Sequence, residues 1–338
     1  KKTITQMSNQ QPTTKNIKMF SSEILVNAIP PEIWREEIFT NFGYVDRSNG
    51  NATCNEFNDT FENYNQKFLK KHAIHVPQDT PTIEKAMELV AKLQLVPTEK
   101  DPLRIVLDKG IHEIVGNNAG SMNVTYSHIT FVGKGKDHTT IRGGFKVENQ
   151  QNVKFEELTV TNHQHQYGHG LQLQGSETNV DVLKCAVKEC GGDGMWVGEG
   201  ATVTATLCEF MENVGAGVFC VEAKARLNDC QMHHNVRYGL VASEHGVVDL
   251  HGTKTDIHSN KVCGIWARLV AKVNIHVPSQ HNTPHDNGED RCQFGRARVF
   301  AYNTSHDNGE DRCQVDGGSI ATINADGTII PRITHLSL

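Results

Sequence analysis

CAVKECGGDGMWVGEGATVTATL (185–207), CEFMENVGAGVFCVEAKARLND (208–229) and CQMHHNVRYGL (230–240) are successive pieces of one uninterrupted stretch, and written beneath one another they fall into columns. Cys185, Cys208 and Cys230 head the three lines at intervals of 23 and 22 residues. Glycines precede comparable short strands at Gly170, Gly194, Gly217, Gly239 and Gly264, and Cys190, Asn213, Asn235 and Asn260 stand four residues before the last four of them. A period in this range marks a repeat architecture in which each turn of chain stacks on the one before it. Asparagines have a physical reason to recur in such a stack, because their amides bond to one another and to turn backbone groups that would otherwise be buried without partners. Independent Asn-Gly turns in a β-sandwich are the competing reading, but they do not readily give two columns with a shared offset.

Alternation along each strand then sorts its side chains. Leu171 and Leu173, Met195 and Val197, Val218 and Cys220, Leu240 and Ala242, and Ile265 and Ala267 are expected to point inward, leaving Gln172, Trp196, Phe219, Val241 and Trp266 in an outer row. Continuing the asparagine column through Asn287 and Asn308 puts Gln293 and Gln314 in that row, with Cys292, Phe294, Cys313 and Val315 inward. Upstream, AIHVP (73–77) and LRIVL (103–107) read as strands, and TIEKAMELVAKL (82–93) carries the apolar spacing of a helix. The fold expected is all-β: a parallel β-helix solenoid with a small N-terminal helical module. Its divisions are a polar arm (1–20), a helical module (21–72), a capping unit (73–120), the coil (121–330) and a tail (331–338).

Composition excludes several function classes. Of 338 residues, 33 are Lys or Arg and 39 are Asp or Glu, so the net charge of -6 gives no long-range attraction to nucleic acid or to an acidic membrane surface. No apolar run approaches the length of a membrane span. The first twenty residues lack the apolar segment of a secretory signal. Nine cysteines without a CxxC pair read as thiols of an intracellular protein, cytoplasmic or nuclear. GKGKD (133–137) lacks the ending of a phosphate-binding loop, and there is no GxSxG elbow.

The repeated turns, with VPQDTPTIEKAM (76–87) and IVLDKGIHEI (105–114) ahead of them, resemble right-handed parallel β-helices of the pectate-lyase-like superfamily over roughly residues 73–330. That resemblance implies the fold more than a reaction, since the superfamily holds lyases, hydrolases, epimerases, fibres and noncatalytic recognition proteins. IPPEIWREEIFTNF (29–42) resembles the opening of an F-box, with Ile29, Pro30, Glu32, Ile33, Ile38 and Phe39 on its early positions. The F-box resemblance implies a Skp1-like adaptor bound through Ile29, Pro30, Ile33, Ile38 and Phe39. It favours a noncatalytic scaffold, the substrate-recognition subunit of a ubiquitin ligase, that holds a target protein on Trp196, Phe219, Trp266, Gln293 and Gln314. The alternatives are a polysaccharide lyase or C5-epimerase acting on an acidic glycan, and a structural or virion-associated β-helix protein.

Chemistry is sought first in the repeat TPHDNGEDRCQ (283–293) and TSHDNGEDRCQ (304–314), whose copies lie 21 residues apart. In the enzyme reading Asp286 or Glu289 moves a proton, His285 is its partner, and Arg291 neutralises a uronate carboxylate. The recognition reading needs no cofactor. Asp286, Glu289 and Asp290 offer the hard oxygens that calcium takes, and Asp/Glu–Arg ladders are the structural alternative. A second cluster is NHQHQYGHG (162–170), where His163, His165 and His169 are candidate metal ligands and Asp193 one coil on is a candidate partner for one of them.

Overall fold

The computed structural model describes residues 73–116, 120–276, 286–287, 312–314, 319–323 and 328–330. The arm and helical module at 1–72, which hold the whole F-box resemblance, lie outside the described residues.

The described chain opens with the strand Ile74–Val76, which pairs in parallel with Leu103–Leu107. Between them runs the helix Ile83–Lys92. Thr82 caps it, its side chain accepting from the Lys85 amide at 3.2 Å, and Ile83, Ala86, Met87 and Val90 form its buried stripe. This is the amphipathic cap that the spacing of 82–93 predicts.

Beyond the cap each coil visits three parallel sheets in turn. One coil runs from Leu171–Gln174 through Asn179–Leu183 and Ala186–Lys188, and the next begins at Met195–Gly198 directly beside Leu171–Gln174. Among the described residues the first sheet has eight strands, the second eleven and the third seven; we call them the aromatic, long and short sheets. The described residues thus form an all-β parallel solenoid with one small helix before it.

The inward residues are buried as alternation requires: Leu171, Leu173, Met195, Val197, Val218, Cys220, Leu240, Ala242, Ile265 and Ala267 are all inaccessible. Lower in the coil Phe131, Phe145 and Phe155 pack ring on ring with centroids 4.9–5.3 Å apart. The asparagine column is an amide ladder. The Asn213 amide N–H and Nδ2 both donate to Asn235 Oδ1, Asn235 does the same to Asn260, and Asn260 to Asn287. The predicted continuation to Asn287 is therefore present. Asn308 lies outside the described residues.

The glycine column has a steric cause. A Cβ on Gly170, Gly194, Gly217 or Gly239 would lie 2.7–2.8 Å from the carbonyl oxygen of the next glycine up the column. Two further columns hold non-glycine residues in the left-handed region: Lys184, Leu207 and Asp229 between long and short sheets, and Glu189, Glu212, His234 and Ser259 after the short sheet, all at φ between 50° and 57°. Each such residue costs about 1–2 kcal/mol, offset by the ladders that repeat at every corner.

Two expectations are corrected. Val241 keeps its expected place in the outer ladder between Phe219 and Trp266, but it is fully buried there rather than exposed. The strand Arg312–Gln314 joins the aromatic sheet with Cys313 in register with Trp266 and Gln314 with Ala267, one residue away from the predicted register. Among the described residues the strand beside Cys263–Ala267 is Arg312–Gln314, 47 residues on, so the 21-residue step between the two repeats does not fix the register of Gln314. Among the described residues no helix is long and apolar enough to cross a membrane.

Candidate active and metal site

The sequences VVDLH (247–251) and KVNIH (272–276) are adjacent parallel strands of the long sheet, with Asp249 opposite Asn274. Alternation places Asp249 and His251, and on the next coil Asn274 and His276, on the outward face, while Val248, Leu250, Val273 and Ile275 are buried. His276 Nε2 lies 2.9 Å from Asp249 Oδ1, and Asn274 Nδ2 donates to the same oxygen at 2.9 Å. The His251 and His276 rings stack with centroids 3.9 Å apart and planes 14° from parallel. One ligand atom from each of Asp249, His251 and His276 falls within 4.8 Å of the others, and all three side chains are half-buried. Among the described residues this is the group of three with metal-ligand geometry.

Two imidazoles and a carboxylate are the donor set of zinc and other transition metals rather than calcium, which takes six to eight oxygens. The expectation of a metal-ligating cluster is met here, at residues that were not singled out. Arg226, one coil below Asp249 in register, is exposed. Burial, then His276 and Arg226, push the His251 pKa below its ordinary value, so His251 is neutral at neutral pH and has a lone pair for a proton or a metal. Lys224 and Lys272, both exposed, flank Val247 two residues along the same face.

Of the residues proposed from sequence, His285, Glu289, Asp290, Arg291 and Gln293 lie outside the described residues. Asp286 is described: it is exposed and left-handed at φ 52°, beside the buried Asn287. Trp196, Phe219 and Trp266 do form one ladder on the aromatic sheet, interrupted by the buried Val241. Trp266 packs against Tyr238 at 4.7 Å with the Arg268 guanidinium 4.8 Å from its ring, so its faces are already in use. Within the histidine-rich turn the pairing with Asp193 is seen. The Asp193 amide donates to His169 Nδ1 at 3.1 Å, and the Asp193 carboxylate lies 3.5 Å from the same nitrogen.

A sequence profile described as "Right handed beta helix region" matches residues 110–283, just over half of the chain. The chain belongs to the right-handed β-helix family. No curated protein matches it in sequence. Among solved structures it is similar to ORF18 of Geobacillus virus E2, at 10% identity and a TM-score of 0.46, with 79% of this chain and 64% of the viral chain covered. It is also similar to the A-module of the Azotobacter vinelandii mannuronan C-5 epimerase AlgE4, at 14% identity and a TM-score of 0.41, covering 66% of this chain and 77% of that one. For the AlgE6 A-module of the same organism the values are 11%, 0.25, 67% and 91%. The chain thus spans less than two thirds of the viral protein. Likeness at these values does not carry an activity across, and function has to be argued from the side chains of this right-handed β-helix protein.

Those side chains overturn the noncatalytic reading. The scaffold hypothesis assigns the outward face to target binding through Trp196, Phe219, Trp266, Gln293 and Gln314. Instead the long sheet of the coil presents a carboxylate and two imidazoles converging within 4.8 Å. The adaptor contact at Ile29, Pro30, Ile33, Ile38 and Phe39 has no support from the described residues or from the family match, which begins at residue 110.

Proposed function

We propose that this β-helix protein modifies an acidic glycan by removing the proton next to a uronate carboxylate, as a lyase or a C5-epimerase does. The observation that supports this most directly is the convergence of Asp249, His251 and His276 on an exposed, regular sheet face lined by Arg226, Lys224 and Lys272. Removing such a proton needs a neutral base at pH 7 and a cation to neutralise the carboxylate as its carbon becomes carbanionic. His251 is the base: its imidazole takes the C5 proton, and the C5–H electron pair moves into the carboxylate. Arg226 holds that carboxylate through its planar fork. His276, hydrogen-bonded to Asp249 on the same face as His251, is placed to protonate the C4 oxygen as it leaves, which gives a C4=C5 double bond. Inversion instead takes a proton from water on the face of C5 turned away from His251.

Asp249, His251 and His276 would instead hold a divalent ion, which would supply Lewis-acid polarisation of the carboxylate, only in a state in which His251 gives its lone pair to the ion and is not the base. Polymannuronate, polyguluronate and polygalacturonate incubated with the protein in heavy water test the proposal. We expect either ultraviolet absorbance from the unsaturated uronate or deuterium at C5 by NMR, lowered about 10²–10⁴-fold in His251→Ala. A chelator that abolishes turnover assigns His251 as a ligand, and chelator-resistant turnover assigns it as the base. Absence of both products on all three polymers, or full activity in His251→Ala, overturns the proposal.

A further inference from the structure

The aromatic sheet carries two tryptophans in one outward column, and their surroundings differ. Trp266 packs on Tyr238, has the Arg268 guanidinium over its ring and buries its indole N–H. The Trp196 N–H is not buried, and among the described residues it donates to no protein acceptor. Its ring neighbour is His169, with centroids 6.3 Å apart, too far for one ring to cover the other.

The cause of the Trp196 pose lies two residues along its strand. Gly198 follows on the same outward side and is buried, although that side faces solvent. A Cβ there would run into Cη2, Cζ3 and Cζ2 of Trp196, so it is the indole that buries it. The missing side chain lets the far edge of the ring come down onto bare backbone. In the coils on either side the same position holds Gln174 and Val221, which fill that space.

Phe219, half-buried, stands one coil up in register with Trp196, and Gln172 one coil down. Gln172 Nε2 donates to Gln174 Oε1 at 2.9 Å, and Gln174 and Lys146 both donate to Glu148. This relay leaves Gln172 Oε1 as an acceptor that no described residue uses. The charges around the rings are balanced on two sides, since Lys146 meets Glu148 at 2.8 Å and Arg237 attracts Asp193. On the third side Glu199 and Glu222, exposed at left-handed corners directly after Gly198 and Val221, form no ion pair among the described residues.

We propose that this face binds a neutral pyranose chain running along the solenoid axis, with one sugar ring on Trp196 and the next on Phe219. Three observations carry it. Half-buried aromatic rings with no other ring packed flush on them offer π faces to the apolar C–H faces of sugars. Adjacent coils are about 4.8 Å apart, close to the length of one sugar residue, so successive sugars meet successive coils. The open Trp196 N–H and Gln172 Oε1 are a donor and an acceptor for equatorial hydroxyls, while Glu199 and Glu222 accept from hydroxyls but repel a carboxylate. That charge selects against the uronate assigned to the long sheet. The face shares no residue with Asp249, His251 and His276, so this proposal stands or falls independently of the uronate chemistry.

The test is isothermal titration calorimetry of the full chain with cellohexaose and with β-1,4-linked hexaglucuronate, which differs from it in carrying carboxylates at C6. Saturable binding of cellohexaose is expected, with the hexaglucuronate at least about tenfold weaker at low salt. Trp196→Ala should weaken cellohexaose binding at least about tenfold. Gly198→Val gives this coil the residue of the next one and pushes the indole off its seat, so it should weaken binding although the tryptophan is kept. Unchanged guanidinium midpoints check that both variants keep the fold. No saturable cellohexaose binding, parent affinity in both variants, or hexaglucuronate bound as tightly as cellohexaose overturns the proposal.

Discussion

Asn213, Asn235, Asn260 and Asn287 sit at successive levels of the coil, and so do Asn228, His251 and His276 on the outward face of the long sheet. Both columns arise from nearly the same step of chain: 22, 25 and 27 residues inside, 23 and 25 outside. Inside, the asparagines are inaccessible or nearly so, and each amide is bonded to its neighbours and to strand carbonyls. Outside, the imidazoles stack at 3.9 Å, in partial contact with water. The repeat brings like groups together in either case, and burial sets their use. A buried ladder must satisfy every polar atom and becomes structure. An exposed one can leave ligand positions to solvent and becomes a place where chemistry can happen.

That contrast is broken most severely by Asn235→Ala. Asn235 Oδ1 accepts from the backbone and the side chain of Asn213, and its Nδ2 donates to Phe210 O and Asn260 Oδ1. Truncation leaves the Asn213 amide and the Phe210 carbonyl buried with those bonds lost. We expect a destabilisation of about 3–5 kcal/mol, read as a lower guanidinium midpoint with an unchanged slope. A loss below about 1 kcal/mol would mean that water replaces the amide and that the ladder is not what holds the corner.

Much of the inner column could be read from the sequence, because its residues obey two constraints at once: a period of 22–25 and a fixed offset from glycines that cannot carry a Cβ. The strands of the long sheet were equally visible through alternation, as VVDLH and ATVTA show. The outer cluster was missed although its signal was present: D-x-H at 249–251 and N-x-H at 274–276 are one coil apart and on the same face by period two. Histidine and aspartate are ordinary on a solvated strand, so composition does not mark them, and only stacking gives them meaning. The left-handed corners were not legible at all. Lys184, Leu207, Glu212 and His234 are not residues whose intrinsic preference demands φ > 0; the ladder imposes it.

The outer column should be far more tolerant. His251→Asn removes a ring that is half-buried and stacked, but strands no fully buried hydrogen-bonding group. A loss of less than about 1 kcal/mol in the same denaturation experiment is expected, set against the large loss of glycan turnover for the His251→Ala protein. Equal destabilisation by Asn235→Ala and His251→Asn would erase the distinction between the two columns.

The smallest effect is a pH dependence, and it ranks two histidines by depth. Burial lowers the pKa of His169, outweighing the attraction of Asp193, and burial with His276 and Arg226 lowers that of His251. In each case the unfolded chain takes up a proton near pH 6.5 while the folded chain does not, so the unfolded state binds more protons. Stability is therefore fully present above about pH 6.5 and falls as the pH drops below it toward the folded pKa values. Asp193 acts in the opposite sense at lower pH, because burial raises its pKa and the folded state then holds the extra proton. Urea midpoints at pH 7.5, 6.5 and 5.5 should decline through the last interval. His169→Gln should flatten the decline more than His251→Gln, since His251 is the more open to solvent screening. If the exposed-face variant flattens it more, the imidazole on the long sheet is held as tightly as the one at the aromatic-sheet corner, and solvent contact is not what separates chemistry from structure in this coil.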